Sequence, residues 1–123
     1  MQDFRNLAVW HKSHDLALEV DAFSEMLQKS RRFQLRDQLV RAAYSVPANI
    51  AEGCGRTGDR EFRRFVRVAL GSASELEYHL LLARDLGLLP DSEFLRLSGL
   101  AAEVKRMLSG LAARLSAGIN ADG

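Results

Sequence analysis

The sequence contains one arginine-rich segment whose residue types and spacing are suited to binding phosphate groups. Five arginines follow one another at intervals of four, three, one and three residues, which places them on one face of an α-helix. They are Arg56, Arg60, Arg63, Arg64 and Arg67. A guanidinium donates two hydrogen bonds in a fork that matches phosphate oxygens, so such a stripe can follow a phosphate backbone. The alternative is a solvated helix face whose arginines pair with neighbouring acids.

The segment before these arginines carries a second polar stripe, again at helical spacing. Its members are Gln38, Arg41, Ser45, Asn49 and Glu52. Amide, guanidinium, hydroxyl and carboxylate groups in line can satisfy one another or a partner helix, which predicts a hydrogen-bonded network or a subunit interface. Catalysis is not expected here, because Ser45 has no histidine or lysine within one helical turn to activate it.

The remaining chemistry-bearing residues predict no metal, no cofactor and no enzymatic activity. His11 and His14 share a helix face, as do Glu75 and His79, but the Glu-x-x-His motif of di-iron bundles does not occur. Cys54 is the only cysteine, which excludes an intrachain disulfide and a multi-cysteine cluster. No glycine-rich phosphate-binding loop follows a strand.

Length and composition indicate one globular domain. The chain has 123 residues, 47% hydrophobic and 27% charged, with a net charge of +1. Residues 31–67 hold nine arginines against four acids, so the middle of the chain is basic. The longest stretch without charge is ten residues, residues 42–51, about half of the roughly 20 that a membrane span needs. With no secretory pattern at the amino terminus, we expect a cytoplasmic protein that does not bind membranes.

The elements that must position these stripes are helices, because apolar residues recur at helical spacing and no stretch alternates as a strand does. We predict a single domain over residues 1–118 and a frayed tail over 119–123. Its helices are predicted at about 8–28, 34–52, 59–86 and 92–117. Short connections favour antiparallel neighbours, so the predicted fold is all-α, an up-down-up-down four-helix bundle.

Two features interrupt this pattern. Pro47 lies inside the second predicted helix, where it should either kink the helix near residues 43–46 or break it in two. Gly71 and Ser72 lie inside the third, although glycine costs roughly 1 kcal/mol relative to alanine in a helix. A patch of small residues there would let another helix, from this chain or from a second one, approach closely.

Longer motifs resemble a known family. The residues that carry the resemblance begin with Gln38-Leu39-x-Arg41-Ala42-Ala43-x-Ser45-Val46-x-x-Asn49-Ile50-Ala51-Glu52-Gly53. They continue with Gly55-Arg56, Glu61-Phe62, Ala69-x-Gly71-Ser72 and Glu75-Leu76-Glu77. This signature strongly resembles that of the four-helix-bundle family of 23S rRNA intervening-sequence proteins.

The resemblance implies an antiparallel four-helix bundle that assembles as a homopentamer and has no established enzymatic activity. A related branch serves as the accessory protein of a reverse transcriptase in diversity-generating retroelements and is thought to bind nucleic acid, so a reverse transcriptase is a possible partner by resemblance alone. The polar stripe, together with Gly53, Gly71 and Ser72, maps onto structural or interface positions of the family.

The function predicted from these observations is non-enzymatic. An oligomeric bundle would bind RNA or DNA through the arginine stripe, largely without sequence specificity, because Tyr44 and Tyr78 are the only tyrosines and few aromatic residues lie outside the predicted core. The alternative is an interaction scaffold that binds protein and no nucleic acid.

Overall fold

The computed structural model describes residues 2–122. A single 3₁₀ turn, Phe4–Asn6, precedes four helices: α1 (Ala8–Lys29), α2 (Phe33–Cys54), α3 (Asp59–Asp85) and α4 (Asp91–Asp122). Each helix packs on two neighbours, so that α1 contacts α2 and α4 while α3 contacts the same two helices from the other side. The fold is the predicted all-α four-helix bundle, and no strand occurs among the described residues.

The core follows the apolar stripes that define the helices. Each helix contributes large side chains that are fully buried, among them Leu16, Leu39, Leu76 and Leu97. The α3 stripe also carries alanines with no exposed surface, such as Ala69 and Ala73. Small residues at these positions let the neighbouring helices come close, while the leucines fill the space between them.

The α2 helix passes through Pro47 without a break. It is one continuous helix from Phe33 to Cys54, so the two-helix alternative is wrong. Proline removes one backbone donor and crowds the preceding turn. The side chains of Val46, Pro47 and Ile50 are buried, and this packing on both sides of the proline holds the helix together.

The prediction of a frayed tail over residues 119–123 is wrong for the part that the structure describes. The α4 helix continues to Asp122, and Ile119 is buried. Ile119 follows Leu115 by four residues and therefore extends the apolar stripe of α4 by one turn. Gly123 lies outside the described residues.

Membrane insertion has no support in the helices. Within residues 2–122, none of them combines the length and the apolar character that crossing a bilayer requires.

Candidate nucleic-acid interface

The arginines of α3 lie at the amino-terminal end of this amphipathic helix. Directly after Gly58, α3 begins at Asp59 and turns its Phe62 and Phe65 side chains toward the core. The opposite face then carries four arginines, which with Val68 line a shallow depression of about 470 Å³. We call these four residues the arginine ridge: Arg60, Arg63, Arg64 and Arg67.

Arg56 does not belong to this ridge, although its spacing predicts that it does. It lies in the turn between α2 and α3, because α3 begins only at Asp59 and the helical period does not extend back to residue 56. Its guanidinium donates to the Glu52 carboxylate at 2.7 Å and lies over the Phe65 ring, with 5.1 Å to the ring centroid. Arg56 therefore ties the end of α2 to α3.

Two ridge arginines also have partners within the chain. Arg64 donates from Nε and Nη2 to the two carboxylate oxygens of Glu61, each at 3.1 Å, and lies 4.5 Å over the Phe65 ring. This hydrogen bonding holds the pKa of Glu61 below its usual range and raises the pKa of Arg64. Arg63 is half-buried and donates to the Ser116 hydroxyl of α4 at 2.9 Å.

Arg60 and Arg67 differ from the others. Both are exposed, and neither guanidinium forms a salt bridge or a hydrogen bond with a side chain of residues 2–121. They are seven residues apart on one helix, so their Cα atoms are about 10 Å apart along the axis. These two cations are the part of the ridge that is free to bind an external anion.

The polar stripe of α2 forms a network along the groove between α2 and α3. Ser45 and Ser72 exchange a hydrogen bond between their hydroxyls at 2.7 Å. The Asn49 amide donates to the Ser45 carbonyl at 2.8 Å and to its hydroxyl at 2.9 Å. Farther along the groove, Arg41 donates to Glu75 at 2.6 Å.

This network is half-buried to exposed rather than buried. Arg41 also donates to the Gln38 side chain, at 2.5 Å, and 64% of the Arg41 side chain is exposed. Glu52 is exposed and pairs with Arg56. Four of the five members thus link α2 to α3 or to each other at the rim of the bundle, and Glu52 links α2 to the following turn.

Gly53 and Gly71 have opposite surroundings. A Cβ on Gly53 would lie 2.9 Å from Phe62 Cδ1 and 2.9 Å from Phe65 Cβ, so α2 and α3 approach closely there. A Cβ on Gly71 would meet no atom within 4 Å. No other helix among the described residues therefore packs against Gly71, and the approach of a helix from a second chain stays a prediction.

The histidines and Cys54 are engaged in structural contacts. His14 stacks on Trp10 with ring centroids 4.8 Å apart, and His11 Nε2 lies 2.6 Å from the Arg5 carbonyl. Burial raises the pKa of the Cys54 thiol. Among the described residues, no group of three or more His, Cys, Asp or Glu side chains could hold a metal ion.

One exposed aromatic residue near two arginines was not predicted from the sequence. Phe33 is the first residue of α2 and is 51% exposed. It lies beside Arg31 and Arg32, which belong to the α1–α2 turn. The signal was its phase, because Phe33 lies roughly 130° around the helix from the buried stripe that begins with Leu35 and Leu39. An aromatic side chain that leaves the core stripe next to two arginines is a candidate contact residue.

The fold and its surface define an antiparallel four-helix bundle with a basic ridge on one outer helix face. The chain belongs to the 23S rRNA-intervening sequence protein family, whose family model matches residues 5–110.

A solved structure supports the fold. The chain is similar to a protein of unknown function from the S23 ribosomal protein family of Bacteroides thetaiotaomicron, with 23% sequence identity and a TM-score of 0.82. The similarity covers 85% of this chain and 98% of that one. None of the curated proteins matches the chain.

Proposed function

We propose that this protein is a non-enzymatic, self-associating bundle that binds RNA or DNA through the arginine ridge, largely without sequence specificity. The observation that carries the proposal is the pair Arg60 and Arg67, two exposed guanidiniums on one helix face that have no carboxylate partner among the side chains of residues 2–121. Guanidiniums so placed can each take a phosphate, and phosphate contacts supply most non-specific affinity for nucleic acid.

Self-association would multiply this weak site. The outer face of α3 continues past the ridge to Gly71, Tyr78 and Leu81, of which Tyr78 is 57% and Leu81 36% exposed. An open glycine between exposed apolar side chains suits the close approach of a second subunit. In a homopentamer, as the resemblance to the family implies, five ridges would share one ligand and gain avidity from effective concentration.

The experiment that tests nucleic-acid binding compares two double variants with equal loss of charge. Arg60→Gln/Arg67→Gln removes the free cations of the ridge. Arg106→Gln/Arg114→Gln removes two exposed arginines of α4 that lie outside it. Fluorescence anisotropy with a 20-base-pair DNA duplex, at several salt concentrations, gives the affinity and its salt dependence.

We expect the ridge variant to reduce the slope of log K against log salt by about 1.8, since each lost phosphate contact on duplex DNA contributes about 0.9. The α4 variant should leave most of the slope. An equal loss of affinity and salt slope in both variants would mean that the arginine ridge is not a specific binding site. An absence of binding by the unmodified protein at low salt would contradict the proposal.

The second candidate function is a protein-interaction scaffold. The exposed apolar residues of α3 favour it, together with the intramolecular partners of Arg63 and Arg64, which give these arginines a structural role. In that case the ridge variant would change the oligomer mass or nothing, and no duplex would be bound. Light scattering after size exclusion, against the chain mass of 13.7 kDa, measures the oligomer.

A further inference from the structure

The turn between α1 and α2 holds an arginine in a backbone conformation that usually belongs to glycine. Arg31 has a φ of +61°. Its N–H donates to the Gln28 carbonyl at 3.0 Å, and the N–H of Arg32 donates to the Leu27 carbonyl at 2.8 Å. These two bonds form a Schellman motif, in which the left-handed position favours glycine because a Cβ is disfavoured there.

The end of α3 shows the same motif with the residue that the geometry favours. Gly87, with a φ of +76°, donates to the Arg84 carbonyl at 2.9 Å, and Leu88 donates to the Ala83 carbonyl at 2.9 Å. The chain therefore ends two helices in the same way, once with glycine and once with Arg31. A guanidinium held where glycine would be more stable suggests that its charge is used.

The surroundings of Arg31 complete a cationic and aromatic pocket. Arg31, Arg32 and the exposed Phe33 line a depression of about 540 Å³, together with Gln34 and Gln38. No acidic residue lines it. Two acids of the neighbouring helix segments already have an arginine partner: Asp37 pairs with Arg36 at 3.1 Å, and Glu75 pairs with Arg41 at 2.6 Å.

The far wall of the depression is formed by α3. His79 lines it, and its Nδ1 is buried without a hydrogen-bond partner, while its Nε2 lies 3.4 Å from Glu75. The depression thus presents two guanidiniums, an aromatic ring, the side-chain amide of Gln34 and the amide nitrogen of Gln38, whose oxygen accepts from Arg41. Arginine for phosphate, an aromatic face for stacking and amides for base edges are the combination by which proteins hold unpaired nucleotides.

We propose that the α1–α2 turn binds an unpaired nucleotide of a single-stranded nucleic acid, with the base stacked on Phe33 and the adjoining phosphates on Arg31 and Arg32. This inference rests on the proposed function only in taking nucleic acid as the ligand. The arginine ridge begins at the opposite end of the bundle, about 30 Å away along α2, so the two sites can be tested separately.

The test uses a fluorescein-labelled 20-nucleotide oligouridine and the 20-base-pair duplex as probes. Phe33→Leu keeps an apolar side chain but removes the aromatic face. We expect it to weaken oligouridine binding by about fivefold or more, because stacking of one base on an aromatic ring strengthens binding by about tenfold. Duplex binding should change by less than about twofold, because paired bases are not available to the ring.

Two variants of Arg31 separate its charge from its backbone conformation. Arg31→Gly should weaken oligouridine binding and lower its salt slope by about 0.7, while the unfolding midpoint stays or rises by a few degrees. Arg31→Lys keeps the charge and should retain most of the slope. A stabilised but weaker-binding Arg31→Gly protein cannot be explained by loss of fold.

A direct readout is photocrosslinking of oligouridine that carries 5-iodouridine, followed by mass spectrometry of the peptide. A crosslink at Phe33 supports the proposal, and a crosslink confined to residues 60–67, the segment of the arginine ridge, contradicts it. Unchanged oligouridine affinity in Phe33→Leu, or an equal loss on the duplex, would overturn the inference while leaving the arginine ridge intact. Loss of duplex binding only in the Arg60→Gln/Arg67→Gln variant would establish the ridge independently.

Discussion

Gly53 and Phe65 lie so close together that a methyl group on Gly53 would come within 2.9 Å of Phe65 Cβ. Cβ is fixed to the backbone and cannot rotate away, so the contact sets the distance between the end of α2 and the beginning of α3. The guanidiniums of Arg64 and Arg56 lie over the Phe65 ring. The position of the arginine ridge relative to α2 therefore depends on the absence of a side chain at residue 53.

Replacement of Gly53 tests this dependence. We expect Gly53→Ala to destabilise the protein by about 1–3 kcal/mol, because α2 and α3 must move apart to relieve the clash. Gly55→Ala is the matched control, since its Cβ would meet only ordinary contacts, the nearest at 3.5 Å from the Glu52 carbonyl oxygen. Urea unfolding followed by circular dichroism measures both. An equal free energy of unfolding in the two variants would mean that α2 and α3 can move apart without destabilising the protein.

The opposite result is expected at Gly71. In the single chain, Gly71→Ala should increase the free energy of unfolding by roughly 0.5–1 kcal/mol, because alanine favours the helix and nothing opposes the added methyl group. If subunits pack against this position, the same variant should also weaken assembly. Light scattering over a dilution series then shows smaller oligomers. A full-size oligomer that is simply more stable would place the subunit interface elsewhere.

Glu61 should limit the affinity of the ridge. Its carboxylate holds the guanidinium of Arg64, and the pKa of Glu61 is lowered, so it is ionised at neutral pH. Glu61→Gln removes one negative charge and should strengthen duplex binding several-fold, with a salt slope steeper by up to about 0.9. Glu93→Gln is the control and should have little effect, because it removes the same charge from an ion pair on α4, where Arg96 keeps Glu19 as a partner at 2.5 Å.

The pH dependence of the same pair has a defined sign. Because the folded-state pKa of Glu61 lies below its usual value, the ion pair stabilises the fold above the unfolded pKa of about 4.3, and this contribution is lost as pH falls through the folded pKa. The Glu61→Gln variant should lack the contribution of this pair. Urea unfolding of both proteins between about pH 3 and 7 measures the difference, which should be largest near neutral pH and shrink in acid.

Cys54 gives a prediction at the alkaline end. Its pKa is raised chiefly by burial, so the folded protein keeps the thiol protonated at a pH where the unfolded chain, with a pKa of about 8.5, loses the proton. The contribution of the protonated thiol to stability should therefore decline as the pH rises above about 8.5, and Cys54→Ala should remove that decline. Alkylation by iodoacetamide should be slow in the native protein and fast in denaturant. Rapid native alkylation would contradict the burial.

The hydrogen bond between Ser45 and Ser72 is measurable by a double-mutant cycle. We expect Ser45→Ala and Ser72→Ala to show a coupling energy of about 0.5–1.5 kcal/mol, the usual net value of one hydrogen bond. Ser74→Ala, on the exposed side of α3, should change stability by less than about 0.5 kcal/mol. Additive effects at residues 45 and 72 would show that the contact contributes nothing.

The sequence pattern predicts the bundle well because burial and helical period coincide. Phe62, Ala69, Leu76 and Leu80 follow one another at helical spacing in α3, and all of them are buried. The end of α4 was less predictable, because Ile119 stands among small and polar residues and a single apolar residue does not define a face. Its burial depends on packing that no local pattern reveals.

The spacing of the arginines indicates a basic helix face but not which of them have partners. Spacing placed Arg56 with the ridge, whereas the start of α3 after Gly58 leaves it in a turn. Spacing could not indicate that Arg63 reaches Ser116, a residue 53 positions later, because that contact is created by the packing of α3 on α4. Phe33 was missed since a core role is the ordinary expectation for phenylalanine.

The arginine ridge also lies at an electrically unfavourable place. Arg60 occupies the first turn of α3, where the aligned peptide dipoles already create a partial positive charge, and only Asp59 and Glu61 oppose it there. A bound polyanion would neutralise both the guanidiniums and the helix end. Bound nucleic acid should therefore stabilise α3 against heat. The melting temperature should rise as more of the protein is bound, so it measures the bound fraction.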